Sequence, residues 1–561
     1  MKKVTERVRR LGVLPVAAAA VVAIATAAAY PAQGAASLHR HHFKHVRRAQ
    51  LAHHNLRVQG TEGNDAITLR LAASNPAILQ VDLGDNGTAD FSFPRAAIKS
   101  ISIAGRDGND RVRIDDKNGT FTDAIPTRID GGAGNDTIAG GAGRETLLGG
   151  PGSDTIDGNG GNDVSDLGPG DDTFVWDPGD GSDTIEGGPG TDSMVFNGAA
   201  AAETVDLSAN GNRLRFFRSP ANITMDTHGV ESIDFNALGG ADSVTVNDLS
   251  GTDVKNVDVD LAGTLGGTTG DGQADRVTVV GTPLNDAIAA AGDASGVTVS
   301  GLATQVAIQH QEPTDQLFVL GVGGNDAISA TGLAAGAVSE FLEGGDGNDT
   351  IAGGPGAETL LGGNGNDTID GNGGSDRAGL GAGDDTFVWD PGDGSDTIEG
   401  DDGRDTLVFN GAAASETVDL SANGNRLRFF RQPANITMDT GGVEFVTFNA
   451  LGGADNVTVN DLTGTDVTSV DLDLAGALGG TTGDGQTDRV IVNGTAGVDA
   501  ATAAGGAGEV SVTGLAPTLE LLHAEATDQL DFENFEAGDS VASGGLAVGT
   551  IQLLLDGTLI P

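Results

Sequence analysis

Gly-Gly-Ala-Gly-Asn-Asp-Thr-Ile-Ala (131–139), Gly-Gly-Ala-Gly-Arg-Glu-Thr-Leu-Leu (140–148) and Gly-Gly-Pro-Gly-Ser-Asp-Thr-Ile-Asp (149–157) follow one another in a single register of nine. Six residues of each unit, Gly-Gly-x-Gly-x-Asp, suit no regular element. Their glycines permit positive φ and close backbone approach, so they form a tight turn whose carbonyls point into a common space. The last three residues, x-apolar-x, make a short strand with one inward side chain. The inward set is Ile138, Leu147, Ile156, Phe174, Ile185 and Met194. Two turn–strand units close one coil, so motifs 18 residues apart stack on the same side. Asp136, Asp154 and Asp172 then form one acidic column, and Asp163 and Asp183 fall on the other.

Further motifs begin at 158 and 167 and, after the inserted pair Trp176-Asp177, at 178 and 187. A second array starts at 344 and continues at 353, 362, 371, 380, 391 and 400, with the same insertion at Trp389-Asp390. The offset of 213 residues extends past the arrays: Leu-Ser-Ala-Asn-Gly-Asn-Arg-Leu-Arg-Phe-Phe-Arg recurs at 207–218 and 420–431. The chain is therefore two tandem copies of one module. Between the arrays, apolar and polar residues alternate as in half-buried strands. Asn210-Gly211 marks a two-residue hairpin turn between Thr204–Ala209 and Asn212–Arg218. No convincing helix follows the N-terminal segment, and the fold class is all-β. The expected organisation is a signal peptide (1–34), a basic His/Arg-rich linker (35–57), a partial β module (58–130), array 1 (131–195), a β-rich spacer (196–343), array 2 (344–408), and a second spacer with the C-terminus (409–561).

The 561 residues carry a formal charge of −50, which argues against nucleic acid as a partner. Cysteine is absent and aromatics are 4%, so neither disulfides nor a large aromatic core hold the chain together. Lys2, Lys3, Arg7, Arg9 and Arg10, then the apolar run 11–29 and Ala32-Gln33-Gly34, read as a cleavable export signal. No second stretch is apolar enough to span a membrane, and the mature protein is expected to be extracellular. Six of nine histidines (His39, His41, His42, His45, His53, His54) lie in the linker, which reads as a basic tether with transition-metal capture as the alternative.

Carboxylates stacked at strand spacing repel one another unless a cation lies between them. Ca²⁺ accepts six to eight oxygens in flexible geometry, which carbonyls and Asp supply, whereas Mg²⁺ demands a smaller and stricter octahedron. This pattern resembles the RTX family, the haemolysin-type calcium-binding nonapeptide repeats. The resemblance implies a parallel β-roll with Ca²⁺ in the turns between coils. By position it makes Asp136, Asp154, Asp163, Asp172, Asp183 and Asp192 the calcium carboxylates of array 1. In array 2 they are Asp349, Asp367, Asp376, Asp385, Asp396 and Asp405. Seven motifs, paired two apart, give roughly five ions per array at most. Glu145 and Glu358 replace the Asp, Ser165 and Ala378 weaken the inward position, and the Trp176 and Trp389 insertions are expected to interrupt the coil. Isolated motifs at Asp65, Asp110, Asp242, Asp286 and Asp326 read equally as plain turns, and acidic loops at Asp85/Asp90, Asp271/Asp275 and Asp484/Asp488 read first as ordinary acidic turns, with calcium chelation as the alternative.

No His-Glu-x-x-His, Gly-x-Ser-x-Gly or phosphate-binding Gly-Lys-Ser/Thr sequence occurs, and His228, His310 and His523 are isolated. The expected function is that of a secreted, non-catalytic calcium-binding repeat protein whose arrays fold on binding Ca²⁺, as a cell-surface or matrix component. Two alternatives stay open. One is an adhesin whose spacers bind an anionic polymer or glycan through Arg213, Arg215, Arg218 and Arg426, Arg428, Arg431. The other is a secreted hydrolase with a carboxylate pair.

Overall fold

The computed structural model describes residues 48–560. The expected signal peptide and His39, His41, His42 and His45 lie outside the described residues. Among those described, regular structure consists of β-strands and two single-turn 3₁₀ elements, Arg95–Ala97 and Asp116–Asn118. No helix of the described residues is long and apolar enough to cross a membrane.

In the arrays the chain alternates between two parallel sheets. Thr137–Ala139 pairs with Thr155–Asp157, and that strand with Thr173–Trp176, in one sheet. Thr127–Ala133, Glu145–Leu148, Val164–Asp166 and Thr184–Glu186 pair successively in the other. The protein is thus an all-β solenoid of the β-roll kind. The inward residues Ile138, Leu147, Ile156, Phe174, Ile185 and Met194 are 0–1% exposed, because side chains alternate along a strand and these positions face the opposite sheet. Ser165 and Ala378 occupy the same inward row and are buried; Leu167 and Leu380, two residues on, are buried with them.

The sheets continue without a break through the intervening segments. Ser193–Asn197 pairs in parallel with Ser232–Asn236, and Gln316–Gly323 with Ser339–Asp346, which leads into array 2. What distinguishes these segments is extra antiparallel strands laid into the coil. Thr204–Asn210, Arg213–Ser219 and Ile223–His228 form a meander between Thr184–Glu186 and Ser243–Val246. The opposite sheet receives Ala287–Asp293, Gly296–Ser300 and Gln305–Gln309 in the same way.

Three sequence expectations are corrected. The Trp insertions do not interrupt the coil: the strand Thr173–Trp176 pairs in register with Ser193–Asn197, and the added residues lengthen the coil from 18 to 20 by a turn at Asp177–Asp180. Trp176 is fully buried, stacks on Phe196 at a centroid distance of 4.0 Å, and donates from Nε1 to the Gly181 carbonyl. The hairpin turn sits one residue later than its sequence signal, on Gly211-Asn212, with Asn210 paired to Arg213. That register places Val205, Leu207, Leu214 and Phe216 inside together, and burial outranks local turn preference. Finally, the end of the segment expected as a linker is ordered. Arg48–Ala52 and Asn55–Gln59 form an antiparallel pair around His53 and His54, and Leu56 and Val58 are buried.

Candidate metal centre

The turn aspartates stand one above another and are joined by hydrogen bonds. Along one edge the amides of Asp65, Asp110, Asp136, Asp154 and Asp172 each donate to Oδ1 of the next aspartate, ending at Asp192, over 2.6–2.9 Å. On the other edge Glu145 donates to Asp163 and Asp163 to Asp183. The second copy repeats the arrangement. Asp286, Asp326, Asp349, Asp367 and Asp385 donate in turn, ending at Asp405, and Glu358 donates to Asp376 and Asp376 to Asp396.

Each aspartate of the expected ligand set in both arrays is 0–2% exposed. In every one of them Oδ1 accepts the neighbouring amide while Oδ2 is buried with no hydrogen-bond partner. A Cβ added to Gly131 would collide with Asp136 Oδ2 and the Gly149 carbonyl oxygen. Gly149, Gly344 and Gly362 would meet the Oδ2 of their own motif and a carbonyl of the following coil in the same way. The glycine therefore leaves open a space that a carboxylate oxygen and a carbonyl oxygen share. Both are acceptors; the Gly149 carbonyl takes the Gly132 amide at 3.0 Å, and the Oδ2 atom takes none.

Burial pushes these carboxyls upward, and neighbouring carboxylates add to the effect. Asp136, Asp154, Asp192, Asp367 and Asp396 rise to about 6, Asp183 and Asp405 to about 7, and Asp163 and Asp376 to about 9. The donated amides oppose the rise. An oxygen-seeking divalent cation answers the same need without a proton, and carboxylate plus carbonyl is the donor set Ca²⁺ prefers. Among the described residues, no three His, Cys, Asp or Glu side chains form a group that could hold a metal ion, so a cation held here would need main-chain oxygens as well.

Some features of the site have little or no sequence signal. The residue before the aspartate builds a second, exposed ladder: Asn135 donates from its amide to Asn109 Oδ1, and Ser153 to Asn135 Oδ1. The aspartate column also resumes between the arrays as Glu203, Asp242, Asp275 and Asp315, and as Glu416, Asp455, Asp488 and Asp528. Of these, Asp242 and Asp455 follow a Gly-Gly-Ala sequence, and Asp275 and Asp488 belong to the acidic loops noted above. Other acidic positions are satisfied by protein donors: Asp85 by Arg113 and Thr68, Asp271 by the amides of Gly240 and Gln273, and Asp286 by the amide and hydroxyl of Thr282.

The basic strand is fully engaged. Arg213 pairs with Asp226 and Glu186, Arg215 with Asp206, and Arg218 with Glu203; Arg426, Arg428 and Arg431 repeat this. Arg218 and Glu203 are both buried, and the guanidinium lies over Trp176, 5.3 Å from the ring centroid. Thus where the meander parts the column between Asp183 and Glu203, an arginine supplies the positive charge.

The model of the RTX calcium-binding nonapeptide repeat (4 copies) matches residues 128–144, 140–174, 179–198, 335–363, 352–387 and 392–411. No curated protein matches the chain. Among solved structures the chain is similar to the extracellular lipase LipA from Serratia marcescens, at 15% identity and a TM-score of 0.13. That alignment covers 62% of this chain and 43% of the lipase chain. The two arrays are RTX calcium-binding nonapeptide repeats.

Proposed function

We propose that this is a secreted, non-catalytic calcium-binding protein whose arrays fold as they take up Ca²⁺. The observation that carries the reading is the row of buried, donor-less Oδ2 atoms beneath the turns of both arrays. Asp136, Asp154, Asp163, Asp172, Asp183 and Asp192, with Asp349, Asp367, Asp376, Asp385, Asp396 and Asp405, provide the carboxylates. Turn carbonyls such as those of Gly149 and Gly362 complete the donor set. The cation supplies positive charge where the chain alone stacks negative charge, and roughly five ions fit each array.

Coupling to folding follows from the thin core. Each array coil buries two or three apolar side chains between its acidic edges, and −50 formal charges oppose compaction. Calcium outside the cell is abundant and cytosolic calcium is scarce, so the arrays stay unfolded before export and fold after it. The basic and then apolar N-terminal sequence supports export, and the reading makes the protein a cell-surface or matrix component. With each arginine of Arg213, Arg215 and Arg218 paired to a carboxylate, no free basic strand favours the anionic-polymer reading.

The test is a calcium titration of the purified mature protein, followed by circular dichroism and hydrodynamic radius. Strand signal should grow and the radius shrink as calcium is added. Identical spectra and radii in calcium and in chelator would end the proposal.

A further inference from the structure

Array 2 contains a buried acidic pair that the nonapeptide pattern does not supply. Glu340 lies one coil before Glu358 on the same edge: the strands pair Phe341 with Thr359, so these glutamates are cross-strand neighbours. They are 6% and 4% exposed. Glu340 belongs to no Gly-Gly-x-Gly-x-Asp turn, and its equivalent in the first copy, 213 residues earlier, is Thr127. Thr127 satisfies itself by donating to the Ile125 carbonyl at 2.9 Å. Glu340 does not, since its Oε2 is buried with no hydrogen-bond partner.

Both carboxylates face the same glycine. The Gly354 amide donates to Glu358 Oε2 at 3.2 Å. On its other side, a Cβ added to Gly354 would meet Glu340 Oε2 at 2.8 Å and the Ala330 carbonyl oxygen at 3.3 Å. In the first copy the corresponding Gly141 would instead meet the Thr122 hydroxyl at 2.6 Å, and that hydroxyl accepts the Gly143 amide. Asp116 Oδ2 also lies 3.3 Å from that position, but it accepts the Ala142 amide at 2.9 Å. The first array thus closes this edge with a hydroxyl and a carboxylate oxygen served by an amide, and the second with a Glu340 oxygen that nothing serves.

We infer that Glu340 and Glu358, with the Ala330 carbonyl, form an additional Ca²⁺ site at the leading edge of array 2. Two carboxylates and a carbonyl provide up to five oxygens, and water completes the six to eight that Ca²⁺ takes. The inference rests on the arrays being calcium sites, and it extends that edge by one ion toward the N-terminus. It also gives the Glu at position 358, a departure from the aspartate pattern, a role: its longer side chain reaches back along the turn toward Glu340.

The deciding experiment is an anomalous difference map from crystals of the full-length protein grown in calcium, with terbium exchanged into parallel crystals. A peak is expected between Glu340 and Glu358, separate from the peaks of the aspartate columns. Equilibrium dialysis should show Glu340→Gln binding one calcium fewer per chain than wild type, and Glu340→Asp retaining the wild-type number. Peaks along the aspartate columns with none at Glu340 overturn the inference and leave the array reading intact. No calcium peak anywhere overturns the array reading itself. The map on wild-type protein decides even if the Gln variant does not fold.

Discussion

The amide of Asp154 donates to Oδ1 of Asp172 at 2.6 Å across one coil. One oxygen of the Asp172 carboxylate thereby stitches neighbouring coils together, while the other stays buried and unserved. The turn aspartate is a backbone-binding group and, in the proposed function, a cation ligand, and these two roles are separable by mutation.

Asp154→Ala should reduce bound calcium more than Asp286→Ala. Asp154 lies between Asp136 and Asp172, so two coil interfaces lose an oxygen, whereas both oxygens of Asp286 accept from Thr282. Loss of the acceptor for the Asp136 amide adds a destabilisation of about 1–3 kcal/mol. Asp154→Asn keeps that acceptor and removes the charge, so it should lose calcium while retaining more strand signal than the Ala variant. Equal calcium counts for Asp154→Ala and Asp286→Ala would contradict the stacked-site reading.

Hydrogen exchange should separate the arrays from the segments between them. Without calcium, amides across 131–195 and 344–408 are expected to exchange freely, and those of Ser243–Val246 and Arg276–Val280 to remain protected. Calcium at tenfold its Kd contributes about 1.4 kcal/mol per site, so several sites together rival the stability of a typical domain. Array protection that persists unchanged in chelator would show that the arrays fold without the ion.

Acid and calcium should act in the same direction on the arrays, yet with opposite pH dependence. Folded-state values of about 6 for Asp154 and about 9 for Asp163 lie above the 3.8 of an unstructured aspartate. A carboxyl raised by folding holds its proton more tightly in the folded state. Its penalty is absent below about pH 4, grows as pH rises, and is complete above the folded value. In chelator, array stability should therefore fall from pH 4 to pH 9. In calcium, protons compete with the ion, and stability should rise over the lower part of that range. Thermal melts in the two buffers that slope the same way would contradict this account.

Arg218→Met should destabilise the first copy by about 3–5 kcal/mol, since it leaves Glu203 buried and unpaired, while Arg218→Met with Glu203→Met should be close to neutral. Both effects should be the same in calcium and in chelator. Denaturant titration followed by Trp176 fluorescence, with Trp389 replaced by Phe, reads this locally. A strong calcium dependence of the Arg218→Met cost would count against arginine as the cation of that coil.

The nonapeptide register made the coil, its inward row and the two acidic columns legible, because glycine turns and three-residue strands are local properties. The continuation of the column through Asp275 and Asp315 was not: Asp275 read as one residue of an acidic loop, no glycine precedes Asp315 closely, and only the sheet brings them beneath Asp242. Glu340 was hidden because it belongs to no glycine motif, although it lies one 18-residue coil before Glu358. The Trp176 insertion read as an interruption, yet a stacked aromatic pair with Phe196 makes it one of the better-packed places in the roll. The basic strand read as a candidate binding surface, since sequence does not reveal that Asp226, Glu186 and Asp206 face it.

The arginine lodged between the acidic columns is tied to the chain, so its concentration at that place never changes. In the proposed function the charges that neutralise the array columns arrive from solution, but this one is present from the moment the meander forms. The coil carrying Glu203 and Arg218 is thus a permanent template at the C-terminal end of array 1, and Glu416 with Arg431 gives array 2 its own. A coil added to a formed template needs only one new face and its own ions. Assembly of each roll then has a place to start and a direction, from its last coil toward its first.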